Sequence, residues 1–284
     1  MKIGIVGLGL IGGSLGRQII RNTSHTVYGY DLSEDAMLKA QMLNACHERL
    51  DVEAERIDLD LLIVALCPEA AIEAMRKIAP RMKKGALIID TCGTKRKVVA
   101  AMSELKDMYP DLGFVGVHPM AGREYSGISH STATLFEHAY IILTPVQTDL
   151  EAEEKVRAFF LETGCEGITT ASAATHDRMI AYTSQLAHVV SSAYIRNPLS
   201  ETYVGFSAGS FRDLTRVAKL NPDMWTELFT ENKDNLVECI DVLQQKLSEY
   251  RDALVAGDRE KLHAALEEGT MMKEAAEKLR RERK

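Results

Sequence analysis

Three groups of residues in this chain have types and spacings suited to chemistry. The first is the G-x-G-x-x-G run Gly7-Leu8-Gly9-Leu10-Ile11-Gly12, which follows the apolar, β-branched stretch 2–6 and leads into a helical pattern from Ile11 to Arg21. Asp31 ends the next strand-like stretch, 19 residues after Gly12. Together these make a dinucleotide-binding fingerprint. Gly7 permits the tight turn, Gly9 lets the backbone approach a pyrophosphate, and Gly12 allows close helix–strand packing. The helix start at Leu10 and Ile11 offers unpaired N–H groups and a positive dipole end to the phosphates. Asp31 suits two ribose hydroxyls and repels a 2′-phosphate, and no cation follows it in Leu32-Ser33-Glu34. The reading is NAD rather than NADP.

The second group stands where two strand-like runs end. Stretch 86–91 leads into Cys92-Gly93-Thr94-Lys95, and stretch 114–118 ends at His118, followed by Pro119-Met120-Ala121-Gly122-Arg123-Glu124. Ligands of open α/β sheets bind outside the carboxyl ends of the strands. A histidine there can take a hydroxyl proton while the carbon beneath loses hydride. The third group is helical. Asp177, Ser184 and His188 fall within ~20° of one face at 3.6 residues per turn, a stripe that faces either a ligand cleft or solvent. Arg212 and Arg216, at i and i+4, either clasp a carboxylate bidentately or stand exposed and paired with Asp213.

The elements that position these groups follow from the pattern. Strand-like runs at 2–6, 26–31, 59–66, 86–91, 114–118, 140–145 and 166–170 alternate with amphipathic stretches such as 70–84 and 95–108. That order predicts an α/β domain with a mostly parallel sheet over 1–171. From 172 to 284 no strand is evident, and 172–196 is helical in pattern. Asn221-Pro222-Asp223 is a helix start, an Asn cap with Pro at the first helical position. From there the apolar spacing predicts one helix to about Ala256, with Trp225, Phe229, Leu236, Ile240, Leu243, Leu247, Tyr250 and Leu254 on its seam and Asn232 as its one polar interruption. Such a helix would be ~50 Å long, and either a second copy of the chain or an intramolecular bundle buries it. Residues 273–284, rich in Lys, Arg and Glu, read as a solvated, fraying helix end.

Composition narrows the class. The 284 residues are 46% hydrophobic and 26% charged, with a net charge of −7. That excludes disordered and collagenous chains and argues against a nucleic-acid role. No apolar run is long enough to span a membrane. The N-terminal stretch lacks the cleavage site of a signal peptide, and the five cysteines are scattered without a CxxC pair. A cytoplasmic protein without a metal site is expected.

The ordered motifs GLGLIGGSLG, YGYD, HPMAGREYSG, THDRMIAYTSQLAH and FRDLTRVAKLNPDMW resemble those of the prephenate/arogenate dehydrogenases of tyrosine biosynthesis. The resemblance implies a Rossmann-type N-terminal domain and an all-helical C-terminal domain that forms a homodimer. It implies NAD-dependent oxidative decarboxylation of prephenate to 4-hydroxyphenylpyruvate. His118 then matches the catalytic histidine at the substrate 4-hydroxyl, Arg216 an arginine that binds a substrate carboxylate, and His188 a histidine facing the substrate side chain. Trp225 matches a tryptophan near the pocket. Gly93 stands where relatives carry a serine, leaving Thr94 as a substitute, and Arg123 replaces a smaller hydroxyl residue and adds a candidate carboxylate contact. The ~28 residues after the long helix are too few for the regulatory ACT domain of some relatives. Alternative readings are an arogenate dehydrogenase, a β-hydroxyacid dehydrogenase with Lys219 as its lysine, and a non-catalytic NAD(H) sensor.

Overall fold

The structure is a computed structural model and describes residues 1–123, 125–147 and 149–282, so Glu124 of the loop after His118 lies outside the described residues. Eight strands form one sheet: β1 (Lys2–Val6), β2 (Thr26–Tyr30), β3 (Glu48–Arg49), β4 (Leu61–Val64), β5 (Leu87–Asp90), β6 (Gly113–Pro119), β7 (Tyr140–Pro145) and β8 (Gly167–Thr170), in the spatial order β3-β2-β1-β4-β5-β6-β7-β8. All neighbours are parallel except β6 and β7, where His118 lies opposite Ile142. Seven strands stand where the apolar runs predict them. The eighth, β3, is two exposed residues beside Tyr28 and Gly29, and no apolar run marks it.

Register places the chemistry at one edge. Val6 pairs with Tyr30 and Val64, and Val64 with Asp90, so β1, β2, β4 and β5 end level with one another. Alternate residues bury the two faces. Ile3, Ile5, Ile63 and Val115 pack with Leu15 and Ile19 of α1 (Leu10–Asn22) and Phe160 of α5 (Leu150–Thr163). Leu62, Val64, Ile88 and Phe114 pack with Met75 of α3 (Pro68–Ile78) and Met102 of α4 (Arg96–Met108). Strands buried on both faces are why these runs are nearly continuous in apolar residues. On the β2 side lies α2 (Glu34–Met42), capped by Ser33, whose hydroxyl accepts from Ala36 N.

Beyond β8 the chain is helical, and two sequence expectations change. The predicted helix 172–196 begins at a Ser172 cap as α6 (Ala173–Ile180), opens into a π-helical turn over Ala181–Gln185, and continues as α7 (Leu186–Ile195). The wider turn holds an extra residue, so Asp177 and His188 no longer keep the phase that 3.6 residues per turn would give. Next come α8 (Gly209–Thr215) and α9 (Pro222–Glu231), the latter capped by Asn221 as expected. The single helix expected over 222–256 is two. It breaks at Asn232, which is fully buried with φ −111° and ψ 24°, and resumes as α10 (Lys233–Ala256), 24 residues and ~36 Å rather than ~50 Å. The break follows from the side chain: the Asn232 amide donates to Asp177 O and Gln185 Oε1, both at 2.8 Å.

The chain divides into two compact units, Met1–Asn232 and Lys233–Lys284. The second is a helical hairpin of α10 and α11 (Arg259–Glu282), turned at Gly257 with φ +65°, with Tyr250 donating to Ala265 O at 3.2 Å. Among the described residues no helix is long and apolar enough to cross a membrane.

Candidate active site

The glycine turn has the shape of a dinucleotide cradle. Gly7 adopts φ +90°, and a Cβ there would stand 2.4 Å from Ala65 O. A Cβ on Gly12 would fall 1.9 Å from Gly7 O, so the start of α1 can approach the turn only without a side chain. Gly9 differs: a Cβ there would meet nothing within 4 Å. Its lack of a side chain leaves open space in front of the backbone at the N-terminus of α1, where Leu10 and Ile11 are half-buried. Asp31 is fixed by two backbone donors, Leu8 N to Oδ2 and Ser33 N to Oδ1, both at 2.9 Å. These residues fit a dinucleotide with a free ribose diol. One neighbour escaped the sequence reading. β3 brings Arg49 into the pocket lined by Tyr30, Asp31, Leu32 and Glu34, where Glu34 holds its guanidinium through both carboxylate oxygens.

A second cluster stands at the ends of β5 and β6. Asp90, fully buried, accepts Val117 N at 3.0 Å and Cys92 N at 2.8 Å. It also accepts the ammonium of Lys95 at 2.5 Å, and Lys95, equally buried, donates further to Cys92 O at 2.8 Å. A lysine is tolerated at such depth only when paired and hydrogen-bonded. Half-buried His118 meets His176 of α6, Nδ1 to Nε2, at 2.9 Å. In turn His176 Nδ1 lies 2.7 Å from Asp177 Oδ1. Asp177 also accepts Lys95 N at 2.7 Å, Arg96 N at 3.0 Å and Arg96 Nε at 3.2 Å.

The electrostatics follow. Burial, the Lys95 charge and His176 push His118 well below its ordinary 6.5, with Asp177 opposing. Burial also lowers His176, against the pull of Asp177. Burial alone would raise Asp177, but the bonds from His176 and from the Arg96 and Lys95 N–H groups outweigh it and hold the carboxyl below its usual range. The cluster is therefore a neutral imidazole pair ending on a carboxylate.

The other sequence-selected residues fall in two places. Thr94, buried at the head of α4, donates to Glu231 Oε2 at 2.6 Å, and Lys97 pairs with Glu231 Oε1 at 3.2 Å. Arg96 donates to Asn232 Oδ1 at 3.0 Å, so the 91–96 loop, α6 and the end of α9 converge beside His118. Asp177 belongs to this cluster, only 1% exposed, rather than to a stripe along the helix. His188 lies instead against Trp225, ring centroids 4.1 Å apart, with Nδ1 3.2 Å from Val217 O, next to Arg216. Ser184 lies within the π turn. Arg123 is exposed, 5.8 Å from the centroid of the Tyr125 ring. No bond joins His188, Trp225 or Arg123 to His118 among the described residues. His176, Lys95, Asp90 and Glu231 were missed as site residues by sequence reasoning. Their one signal is placement, since Asp90 and Lys95 bracket the loop at a strand end and His176 precedes Asp177.

Comparison with known proteins adds independent findings. Residues 15–169 match the family model "Prephenate dehydrogenase, nucleotide-binding domain", and residues 172–268 match "Prephenate dehydrogenase, dimerization domain". The chain is 31% identical over 268 residues to the prephenate dehydrogenase of Bacillus subtilis, covering 91% of this chain and 71% of that one. It is 33% identical over 269 residues to the cyclohexadienyl dehydrogenase of Zymomonas mobilis, covering 90% and 89%. A crystal structure of prephenate dehydrogenase from A. aeolicus, in complex with hydroxyphenyl propionate and NAD+, superposes with a TM-score of 0.83 at 27% identity, covering 97% of this chain and 98% of that one.

Proposed function

The chain belongs to the prephenate dehydrogenase family, and on that premise we propose that it catalyses the NAD-dependent oxidative decarboxylation of prephenate to 4-hydroxyphenylpyruvate. The observation that carries this reading is His118 at a strand end, tied through Nδ1 to His176, with no hydrogen bond on Nε2 among the described residues. A neutral imidazole with one nitrogen committed can accept a hydroxyl proton at the other. Gly7, Gly9, Gly12, the N–H groups of Leu10 and Ile11 at the start of α1, and Asp31 would hold NAD. When bound, it supplies the acceptor for the hydride on C4 of the substrate. His118 Nε2 takes the 4-hydroxyl proton as that carbon becomes a carbonyl carbon. It returns the proton as the ring carboxylate departs as CO2 and the oxygen becomes phenolic.

Positive charge at Arg216 and Arg123, and the half-buried His188–Trp225 pair, are assigned to the substrate's carboxylates and side chain. Thr94 is assigned to the loop beside the 4-hydroxyl, where its bond to Glu231 orients it. The division into a dinucleotide-binding part, 1–171, and a helical substrate and dimerisation part, 172–284, is supported by the last strand ending at Thr170 and by Ser172 capping α6. A homodimer is the assembly in this reading. The net charge of −7 argues against a nucleic-acid partner, and the scattered cysteines agree with a cytoplasmic enzyme.

The test is NADH formation by the purified protein, with prephenate or arogenate as substrate and NAD or NADP as acceptor. Turnover with prephenate and NAD is expected. Turnover with arogenate alone would move the substrate assignment, and silence in every combination by a folded, NAD-binding protein would overturn the reading.

A further inference from the structure

We infer that His176 is a positioning residue that sets which nitrogen of His118 carries the proton. This inference rests on the proposed reaction for its consequence, though not for its geometry. His176 is 1% exposed and lies between two partners, His118 Nδ1 at 2.9 Å and Asp177 Oδ1 at 2.7 Å.

The order of protons along this chain is fixed from its far end. The Asp177 carboxylate meets only donors: Lys95 N, Arg96 N, Arg96 Nε and the His176 ring. A carboxylate so surrounded acts as an acceptor. His176 Nδ1 therefore carries hydrogen. In the neutral ring Nε2 is then bare, and only an N–H on His118 Nδ1 satisfies it. That leaves His118 Nε2 bare as well, the form a general base needs. Without His176, the Nδ1–H tautomer of His118 loses its acceptor and the two tautomers compete. When His118 is protonated, its Nδ1–H still points at His176, and through it at the Asp177 charge, so the added proton is stabilised without leaving His118. The logic is that of a base oriented by a third group, with one imidazole interposed. The groups facing this chain from the packed elements are Lys95 and Asp90 from the 90–95 segment and Arg96 from α4.

The test combines a spectroscopic readout with kinetics on the full-length protein. Long-range 1H–15N correlation spectra of ring-labelled protein identify the protonated nitrogen of each histidine, with His118→Asn and His176→Gln used to assign the signals. The expected spectrum has Nδ1 protonated and Nε2 bare in both His118 and His176. A spectrum with His118 protonated on Nε2 overturns the inference, whatever the kinetics.

His176→Phe keeps the ring's shape but removes the acceptor. It is expected to lose about 10²-fold in kcat, the lower end of what a general base contributes, with KM and NAD affinity little changed. His176→Gln keeps an acceptor oxygen in reach of His118 Nδ1 and should restore most of that loss. His176→Phe with the wild-type tautomer and kcat would overturn the inference, as would His176→Gln falling as far as His176→Phe. If His176→Phe fails to fold, the wild-type spectrum and His176→Gln still decide. Should the wild-type protein leave prephenate unoxidised yet show the expected tautomers, the proposed reaction fails and the positioning role stands.

Discussion

His118 is defined by what its two nitrogens do. With Nδ1 engaged by His176, Nε2 is the nitrogen left for the proton transfer proposed above. Replacing His118 by Asn should therefore cut kcat by ~10²–10⁴-fold, the usual contribution of a general base. NAD binding, followed by fluorescence titration, should survive, because the cradle is built from other residues. The same site predicts a pH profile. His118 is held below 6.5 by burial, by Lys95 and by His176, against Asp177. A base with a lowered pKa stays unprotonated further into acid, so the acid limb of kcat/KM should fall below pH 6.5. A limb above 6.5 would mean that the imidazole is not the titrating base. Sequence placed His118 at a strand end because the strand was legible. It gave no role to His176, since its partner lies 58 residues away on another element and nothing in THDRMI announces the meeting.

Two local devices carry the elements, and each makes a distinct prediction. In the β1–α1 turn, Gly9→Ala adds a methyl group where no atom lies within 4 Å, so the protein should fold with unchanged thermal stability. In the proposed NAD site that methyl would take the space assigned to the pyrophosphate, so the Kd for NAD should rise. Gly12→Ala places its Cβ 1.9 Å from Gly7 O, a backbone atom that cannot swing aside. It should lower stability and NAD affinity together. Equal behaviour of the two variants would refute this division of labour. At the α9–α10 break, Asn232→Leu would restore the apolar seam that the sequence suggests. It would also leave the buried Gln185 Oε1 without the donor it has now, whereas Asp177 O keeps the Ala181 N–H and Arg96 keeps Asp177. One orphaned buried acceptor costs roughly 1–3 kcal/mol, so a loss of about 2 kcal/mol in urea unfolding is expected. The sequence showed Asn232 as one polar residue in a helical period, and periodicity cannot report that its amide has partners on α6 and the π turn. The π turn is hidden for the same reason: residues 181–185 have an ordinary helical composition. The Gly-x-Gly turn, by contrast, was legible because its requirements are local to a few residues.

Over the whole molecule, buried neutral histidines tie stability to pH. Unfolded histidines titrate near 6.5, whereas His118 and His176 are lowered in the fold. Between the lowered values and about 6.5 the unfolded chain binds more protons, so stability rises with pH across that window and is fully present above it. Asp177 acts at lower pH, because a depressed carboxylate loses its contribution only as pH falls below about 4. Urea midpoints should fall as the pH drops past about 6.5, and His176→Gln should flatten the fall. A midpoint independent of pH between about 4.5 and 7 would contradict the neutral pair.

At this scale much was readable in advance, because a sheet buried on both faces writes itself as apolar runs. β3 was not, being two exposed residues placed by their neighbour's edge. The origin of His176 and Asp177 on α6 has a consequence for the order of synthesis. The cofactor turn and Asp31 emerge first from the ribosome, then His118, and only afterwards the two residues that direct its proton. On the proposed reading, the base therefore lacks its partners in the early nascent chain and gains them only when α6 has been made and has packed beside His118.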